Sequence, residues 1–258
     1  MTISLCMITK NEENLLKNCL NNIKGIVDEI IIVDTGSTDN TKETAKKFNA
    51  KIFDFKWGDN FSEARNFSLQ KATQEWILVL DADEKISNFD LEKIKNLTKS
   101  KEFMGYSFIQ RTYNNKIKKL KWNYAKNDSY EESKKFLGWA YRRITRLFRN
   151  DKRIKFSYPI HETVMESIKR INGKISPTNI PLHHFEALKG KDFVNKKSKY
   201  YVKLLKDKTK IYPKAKFYFE LALQLEHLNE YSEAQIYFDE SIKLNPHYKE
   251  LLSKLNFL

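Results

Sequence analysis

The sequence has little cysteine and glycine and no long apolar run. Its 258 residues include two cysteines and seven glycines. Two cysteines, Cys6 and Cys19, cannot build a disulfide framework or a zinc site, and their apolar surroundings predict two buried thiols. No apolar run reaches membrane-spanning length, and no basic region precedes the apolar N-terminal stretch. We therefore expect neither a transmembrane helix nor a signal peptide, and a cytoplasmic location.

Positive charge is concentrated in the middle of the chain. The net charge is +14 overall, made up of −4 in residues 1–90, +20 in residues 91–210 and −2 in residues 211–258. A local excess of this kind argues against a uniformly basic nucleic-acid coat and favours one basic surface facing an anionic partner. The competing interpretation is that these cations only keep the surface hydrated, because lysine and asparagine are abundant throughout the sequence.

The first 83 residues alternate between strand and helix patterns. Short apolar runs rich in β-branched residues predict four strands buried on both faces, at residues 3–8, 29–33, 51–55 and 76–80. Helical patterns lie between them at residues 13–24, 38–48 and 61–72, and Asn60 with Glu63 suits the start of the last one. This order predicts an α/β fold, a mostly parallel sheet between helices, with a ligand crevice at the carboxyl ends of the strands.

The pattern changes after residue 84. One more helix is predicted at residues 88–97, and mixed-polarity segments at 106–113, 140–148, 160–165 and 180–184 suit an antiparallel extension of the sheet. From about residue 196 the chain is helical. There, eight residues fall at the offsets of a 34-residue tetratricopeptide unit that starts near Ala215: Tyr218, Leu221, Ala222, Leu225, Tyr231, Ala234, Phe238 and Pro246. We expect this unit to pack on the preceding helix at residues 196–210 and on the final segment, residues 248–257.

The sharpest chemical feature is the segment Asp81-Ala82-Asp83-Glu84, directly after the fourth predicted strand. Two carboxylates at this spacing can hold a divalent cation against a diphosphate, although an isolated D-x-D is more often a solvated turn. Polar segments at neighbouring strand ends, 9–13 and 34–39, together with residues 61–66, strengthen the prediction of a site.

Four segments carry a family resemblance: ITKNEE, DEIIIVDTGSTDNT, NFSEARNFSL and WILVLDADE. In this order and spacing they resemble the nucleotide-sugar-binding half of family 2 glycosyltransferases with the GT-A fold, over roughly residues 1–90. RITRLFRN (143–150), YPIHETV (158–164) and PLHHF (181–185) are similar to the lipopolysaccharide-core β-1,4-glucosyltransferase-like branch. The helical tail is similar to that of peptide S-glycosyltransferases of the sublancin type.

The resemblance implies roles for particular residues on the donor side. Thr9 and Glu12 would approach the uridine, and Asp34 would hydrogen-bond the base edge. Asp39 has a simpler interpretation as a first-turn carboxylate of the next helix. Arg65 would face the ribose or diphosphate, or else lie on the surface paired with Glu63 or Asp59.

The resemblance also implies a metal site and the domain division. Asp83 would be the principal metal ligand, with Asp81 nearer the ribose and metal. His184 would complete the site, and His183 is the alternative, since adjacent strand residues point to opposite faces. The implied domains are a GT-A domain at 1–195, divided into nucleotide-sugar binding (1–90) and an acceptor side (91–195), and a tetratricopeptide-like region at 196–258.

The acceptor side is less clear in the sequence. Glu162 is the first choice for the catalytic base, and a salt bridge to Arg142, Arg143, Arg146 or Arg149 is its competing role. Those arginines would line the crevice, though an alternating strand sends only some inward. The polar stretch 125–136 suits a mobile loop over the acceptor, and four aromatic residues lie on either side of it: Trp122, Tyr124, Trp139 and Tyr141. The alternative for these aromatics is that they pack in the hydrophobic core.

The sequence thus predicts a metal-dependent inverting glycosyltransferase that uses Mn²⁺ or Mg²⁺ and a nucleotide-sugar donor, most simply a UDP-sugar. Expected partners are an anionic glycan, glycolipid or peptide acceptor in cell-surface polysaccharide or lipopolysaccharide assembly, peripheral contact with the anionic inner face of the plasma membrane, and a protein or second copy at the helical tail. A nucleotidyltransferase is disfavoured, because such an enzyme normally has a glycine-rich loop with Arg or Lys after the first strand, and ITKNEE contains no glycine. The remaining alternative is a non-catalytic basic adaptor that binds nucleic acid or protein through a transferase fold that has lost its catalytic activity.

Overall fold

The architecture is that of a computed structural model, which describes residues 1–117 and 122–253. Its strands are β1 (Ile3–Thr9), β2 (Glu29–Asp34), β3 (Lys51–Asp54), β4 (Trp76–Val79), β5 (Glu84–Ile86), β6 (Gly105–Asn114), β7 (Trp122–Tyr124), β8 (Gly138–Arg149) and β9 (Ile175–His184). Its α-helices are α1 (Glu13–Ile23), α2 (Thr41–Lys46), α3 (Phe61–Lys71), α4 (Leu91–Thr98), α5 (Met165–Arg170), α6 (Lys191–Ile211), α7 (Ala215–His227), α8 (Tyr231–Leu244) and α9 (His247–Ser253).

The strands within this described part form one sheet in the order β3-β2-β1-β4-β8-β6-β9-β5, with β7 added beside β8. The first four strands of that order run parallel, as expected for strands connected by helices. β8 then pairs antiparallel with both β4 and β6. The α/β fold class with a largely parallel central sheet and a helical C-terminal region is therefore confirmed.

Alternating side chains of the central strands fill two cores. On β1, Ile3, Leu5 and Met7 pack in the core that also contains residues of α1, whereas Cys6 points to the opposite core. This two-residue period is the strand geometry that the short apolar runs predicted. Both cysteines are buried free thiols, and burial raises the pKa of Cys6 to about 12.

Several predicted elements differ from those observed. β3 is an edge strand with exposed or half-buried residues, because no further strand covers its outer side in the described part of the chain. The helix predicted at 38–48 is the shorter α2, since Asp39 caps its start instead of lying within it. Residues 160–165 form no strand: Thr163 makes one isolated bridge to Ser157, and α5 then begins. β9 runs parallel to β6, so the extension is mixed and not purely antiparallel.

The chain divides into two compact units, Met1–Phe185 and Glu186–Leu258, ten residues before the predicted boundary. In the second unit α7 packs on α6 and α8, and α9 packs on α8. α7 starts at Ala215, as the repeat pattern predicted, and Leu221, Ala222, Leu225, Ala234 and Phe238 are buried. The end of the predicted final segment, residues 254–257, lies outside the described residues.

No helix among the described residues has both the length and the apolar character needed to cross a bilayer.

Candidate active site

β1 and β2 end side by side, and their last residues form the first part of the site. Thr9 and Asp34 are register partners, and both are buried. The Oδ1 atom of Asp34 accepts from the backbone N–H groups of Gly36 (3.1 Å) and Ser37 (2.9 Å). Gly36 has a φ of +102°, a conformation that glycine adopts without strain, which allows the chain to turn back beneath the carboxylate.

Two polar atoms in this pair have no hydrogen-bond partner among the described residues. They are Thr9 Oγ1 and Asp34 Oδ2. A buried acceptor without a donor is costly, commonly about 1–3 kcal/mol. The strand ends therefore offer two acceptors to a ligand that carries N–H or O–H groups.

The neighbouring loop is tied to two helices. Glu12 precedes α1, and its backbone N–H donates to Thr41 Oγ1 at 2.7 Å. Asp39 accepts from the backbone N–H of Thr41 (3.0 Å) and, through its other oxygen, from that of Glu13 (3.2 Å). Burial would raise the pKa of Asp39, but the bonds from Thr41 outweigh it and lower the pKa. Asp39 thus binds the first N–H group of α2 from two residues before the helix, and not from its first turn as the simpler interpretation predicted.

Asp81, directly beyond β4, is held by two buried arginines. Arg65 Nη2 lies 2.7 Å from Asp81 Oδ1, and Arg146 Nη2 lies 2.7 Å from Asp81 Oδ2. Burial would raise the pKa of Asp81, but Arg146 and Arg65 lower it well below its ordinary value. Arg65 is therefore not a surface residue paired with Glu63 or Asp59.

The two arginines keep unused donors. Arg65 Nη1 and Arg146 Nε are buried and have no acceptor within the described ranges. Since an arginine cannot give up its proton at physiological pH, these N–H groups are permanent donors beside Asp81. They suit an anion with several oxygens, such as a phosphate group.

Glu162 reaches the same cluster from a distant part of the chain. Its Oε1 accepts from Arg65 Nε at 2.5 Å, so its ion-pair partner is Arg65 and not one of the four arginines of β8. Burial would raise the pKa of Glu162, but Arg65 and Arg146 lower it. Two residues shortly before it, Tyr158 and His161, have positive φ (76° and 51°).

The α3 helix fixes this loop. Phe61 N–H donates to Pro159 O at 2.8 Å, and the Ser62 hydroxyl donates to Tyr158 O. Asn66 exchanges two hydrogen bonds with the backbone of Phe156. The segment SEARN therefore both supplies Arg65 and holds the loop that carries Glu162.

Asp83 faces His184 across the β5–β9 pair. His184 Nε2 lies 3.5 Å from Asp83 Oδ1, and His184 Nδ1 lies 3.1 Å from Thr112 Oγ1. Within the described residues no group of three or more His, Cys, Asp or Glu side chains is arranged to hold a metal ion. The Asp83 carboxylate suits Mn²⁺ or Mg²⁺, whereas the His184 imidazole suits Mn²⁺ better than Mg²⁺, which prefers oxygen ligands. The pair therefore fits two positions of a Mn²⁺ site to which substrate phosphates supply further ligands.

His183 points to the opposite face. Its Nδ1 lies 2.6 Å from the Tyr113 hydroxyl, and its ring stacks on that of Tyr113. Burial lowers the pKa of His183 to about 4, so the ring is neutral at physiological pH. The alternation of strand side chains thus brings His184, and not His183, to Asp83.

Sequence reasoning missed the residues that connect this cluster to β6. Glu84 is buried, accepts from the Asp81 backbone N–H at 2.9 Å and lies 3.3 Å from Arg146. Gln110 donates to Glu84 and accepts from Arg142 Nε at 2.5 Å. Glu84 was visible as an acid after D-x-D, but no local signal marks Gln110.

The four arginines of β8 have different surroundings. Arg146 is buried in the cluster and Arg142 contacts Gln110, whereas Arg143 donates to Thr178 O and Arg149 to Ser100 O. Only two of the four therefore share the face of the site.

The polar stretch at 125–136 is held by side-chain contacts. Arg111 pairs with Asp128 at 2.9 Å, Lys85 with Glu132 at 2.8 Å, and the Tyr130 hydroxyl donates to Asp90 at 3.0 Å. The bracketing aromatics divide into two kinds: Trp139 is buried against Tyr113, whereas Tyr124 and Tyr141 are exposed.

A parallel half-sheet with carboxylates and arginines at its strand ends defines an α/β protein of the GT-A-like class. The crystal structure of Staphylococcus aureus TarS shares this fold, with a TM-score of 0.52, 16% identity, and coverage of 91% of this chain and 43% of TarS. The model of glycosyl transferase family 2 matches residues 4–165. The chain belongs to that family.

Two of the following three curated relatives are named as glycosyltransferases. A TPR repeat-containing protein of Synechococcus elongatus is 35% identical over 167 residues, and the prophage-derived glycosyltransferase SunS of Bacillus subtilis is 32% identical over 166 residues. Each match covers 64% of this chain but only 36% and 35% of the relative, about a third of its length. An uncharacterized glycosyltransferase of Rickettsia conorii is 30% identical over 199 residues, 75% of this chain and 66% of the relative.

Proposed function

We propose that this chain is a metal-dependent inverting glycosyltransferase that moves a sugar from a UDP-sugar to a glycan, glycolipid or peptide acceptor. Family membership supports the reaction class. The donor assignment is carried by four buried polar atoms at one edge of the sheet: Thr9 Oγ1, Asp34 Oδ2, Arg65 Nη1 and Arg146 Nε. The two acceptors are complementary to the imide and hydroxyl hydrogens of uridine, and the two donors are complementary to diphosphate oxygens.

In this proposal the strand ends bind the nucleoside. Asp34 Oδ2 accepts the uracil N–H while Oδ1 stays fixed by Gly36 and Ser37. Thr9 and Glu12 lie beside the uridine. Arg65 and Arg146 donate to the diphosphate, which rigid guanidinium groups bind with defined geometry.

Asp83 and His184 would hold Mn²⁺ or Mg²⁺, with the contact from Thr112 fixing the orientation of the His184 ring. The bound cation would neutralise charge that develops on the leaving diphosphate. Asp81 is also a proposed ligand. Because both of its oxygens are engaged by arginines, it can join the metal only when Arg65 and Arg146 turn towards the diphosphate.

Glu162 is the proposed base for the acceptor hydroxyl. Its lowered pKa keeps it ionised, as a proton acceptor must be, and Oε2 remains for the proton because Oε1 is bound by Arg65. The same contact supports a second role, in which Glu162 orients Arg65. The variant Glu162→Gln separates these roles, as described in the Discussion.

The family branch, the pathway and the cellular location are proposed as the sequence predicts them. We place the chain in the lipopolysaccharide-core β-1,4-glucosyltransferase-like branch, acting in cell-surface polysaccharide or lipopolysaccharide assembly in the cytoplasm, at the inner face of the plasma membrane. The tail would act as a tetratricopeptide-like unit that binds a protein partner or a second copy. The packing of α7 on α8, with Leu221 and Phe238 buried, supports the tetratricopeptide-like form of the tail.

The experiment is a calorimetric titration of UDP into the full chain with and without Mn²⁺. We expect Mn²⁺ to strengthen UDP binding in the wild type, and Asp83→Asn to abolish this gain because the charged ligand is lost. Asp54→Asn is the matched control, since Asp54 ends β3 on the same sheet edge and is exposed beside Lys42.

Equal UDP affinity with and without Mn²⁺ in the wild type would contradict the metal proposal. No UDP binding at all, together with nucleic-acid binding of steep salt dependence, would favour the adaptor.

A further inference from the structure

Arg142 is an exposed arginine that the fold holds in one position. Its Nε donates at 2.5 Å to the side-chain oxygen of Gln110, which is only 1% exposed. Gln110 is in turn fixed by donating its amide N–H to the buried Glu84. Neither Nη atom of Arg142 contacts an acceptor within the described parts of the chain.

This arrangement is unusual for a solvated side chain. A surface arginine gains little from ordering and loses about 2 kcal/mol of rotamer entropy when it is fixed. Here the side-chain carbonyl of the buried Gln110 fixes the arginine through Nε, and the outer edge of the guanidinium faces solvent. A pre-oriented pair of N–H donors of this kind matches a carboxylate or phosphate group.

The position of Arg142 connects it with the proposed site. Arg142 and Arg146 lie four residues apart on β8 and both reach the Glu84 cluster, one through Gln110 and the other directly. Four residues of regular strand span about 13 Å, and the shift in register between Thr145 and Leu147 makes the span from Arg142 to Arg146 shorter. An anionic group on Arg142 would therefore lie within about 13 Å, measured along the strand, of the arginine that pairs with Asp81.

Glu84 is separated from Arg142 by the side chain of Gln110. Arg146, which it shares with Asp81, lies 3.3 Å from Glu84 and offsets part of its negative charge. The excess of positive charge in residues 91–210 has the same sign as this site.

We propose that Arg142, oriented by Gln110, binds a carboxylate or phosphate group of the acceptor. This inference rests on the proposed glycosyltransferase function and identifies the acceptor as a molecule with a negative charge a short distance from the reacting hydroxyl. Arg142 acts in acceptor specificity and touches none of the reacting atoms.

Three sugar probes test the site by NMR titration of the full chain with UDP and the diamagnetic cation Mg²⁺: methyl glucoside, methyl glucuronide and glucose 6-phosphate. We expect at least one charged probe to bind about tenfold more tightly than methyl glucoside, the gain of a hydrogen-bonded charge. Arg142→Gln should reduce this ratio to near one. The two charged probes distinguish a carboxylate site from a phosphate site.

Arg143→Gln is the matched control, because Arg143 is the next exposed arginine but donates to the carbonyls of Ser107 and Thr178. It should keep the wild-type ratio. Equal binding of all three probes, no measurable binding of any probe, or equal losses in both variants would overturn the proposal. UDP affinity in the same samples reports separately on the proposed function, since it can persist when the anion preference is absent.

Discussion

Asp34→Asn removes one buried charge at the end of β2 with almost no change in side-chain shape. Asp34 is fully buried, and Oδ1 already receives two backbone N–H bonds, which an asparagine oxygen can keep. The change therefore falls on Oδ2, which has no donor within the described residues and becomes an NH₂ group. That group cannot accept the uracil N–H.

The size of the effect follows from this geometry. A hydrogen bond to a charged group contributes about 1.5–3 kcal/mol, which corresponds to a roughly 10- to 150-fold loss of UDP affinity. The free energy of unfolding should stay level or rise, since the variant no longer buries a carboxylate whose nearest cation, the half-buried Lys42, is 3.8 Å away. The preference for UDP over CDP should also narrow, because cytosine lacks the imide N–H.

Calorimetry with UDP and CDP, combined with urea unfolding, measures these quantities. Glu43→Gln is the control here, because Glu43 is an exposed carboxylate of α2 that pairs with Lys46 and not with Lys42, the lysine beside Asp34; it should bind UDP as the wild type does. A UDP affinity for Asp34→Asn within twofold of the wild type, in a folded protein, would refute the assignment of Asp34 to the base. An equal loss in Glu43→Gln would refute it as well.

Two further predictions concern Glu162 and His183. Glu162→Gln keeps an oxygen for Arg65 Nε but removes the proton acceptor, so the rate of sugar transfer should fall by about 10²–10⁴-fold with little change in UDP affinity. Weaker UDP binding with an unchanged rate at saturating donor would instead show that Glu162 positions Arg65. Burial lowers the pKa of His183 from an ordinary value near 6.5 to about 4, so protonation favours the unfolded state, and the free energy of unfolding should fall by up to about 3 kcal/mol as the pH drops from 6.5 to 4. Urea unfolding across this range should give a shallower pH dependence for His183→Gln, and parallel curves for the two proteins would contradict the assignment.

Local patterns predicted those parts of the fold that depend on neighbouring residues. The alternation of buried residues in β1 and β2 and the cap of α3, where Asn60 accepts from the Glu63 N–H, follow from strand and helix periodicity. The choice of His184 over His183 as the partner of Asp83 agrees with the same alternation.

Contacts between distant segments could not be predicted in this way. Arg65 and Glu162 are 97 residues apart in sequence, and no local pattern indicates that the loop around Tyr158 adopts positive φ values to bring them together. The edge position of β3 likewise depends on strand order, and the role of Gln110 depends on the register of β6 against β8. These features are set by tertiary pairing.

The central claim is that the strand ends around Asp34, Asp81 and Asp83 bind and activate a UDP-sugar. Its most direct test is release of UDP from a panel of UDP-sugars by the full chain, with and without Mn²⁺ and without added acceptor. We predict slow, Mn²⁺-stimulated UDP release from at least one sugar of the panel. A folded protein that releases no UDP from any of them, with either Mn²⁺ or Mg²⁺, would contradict the claim.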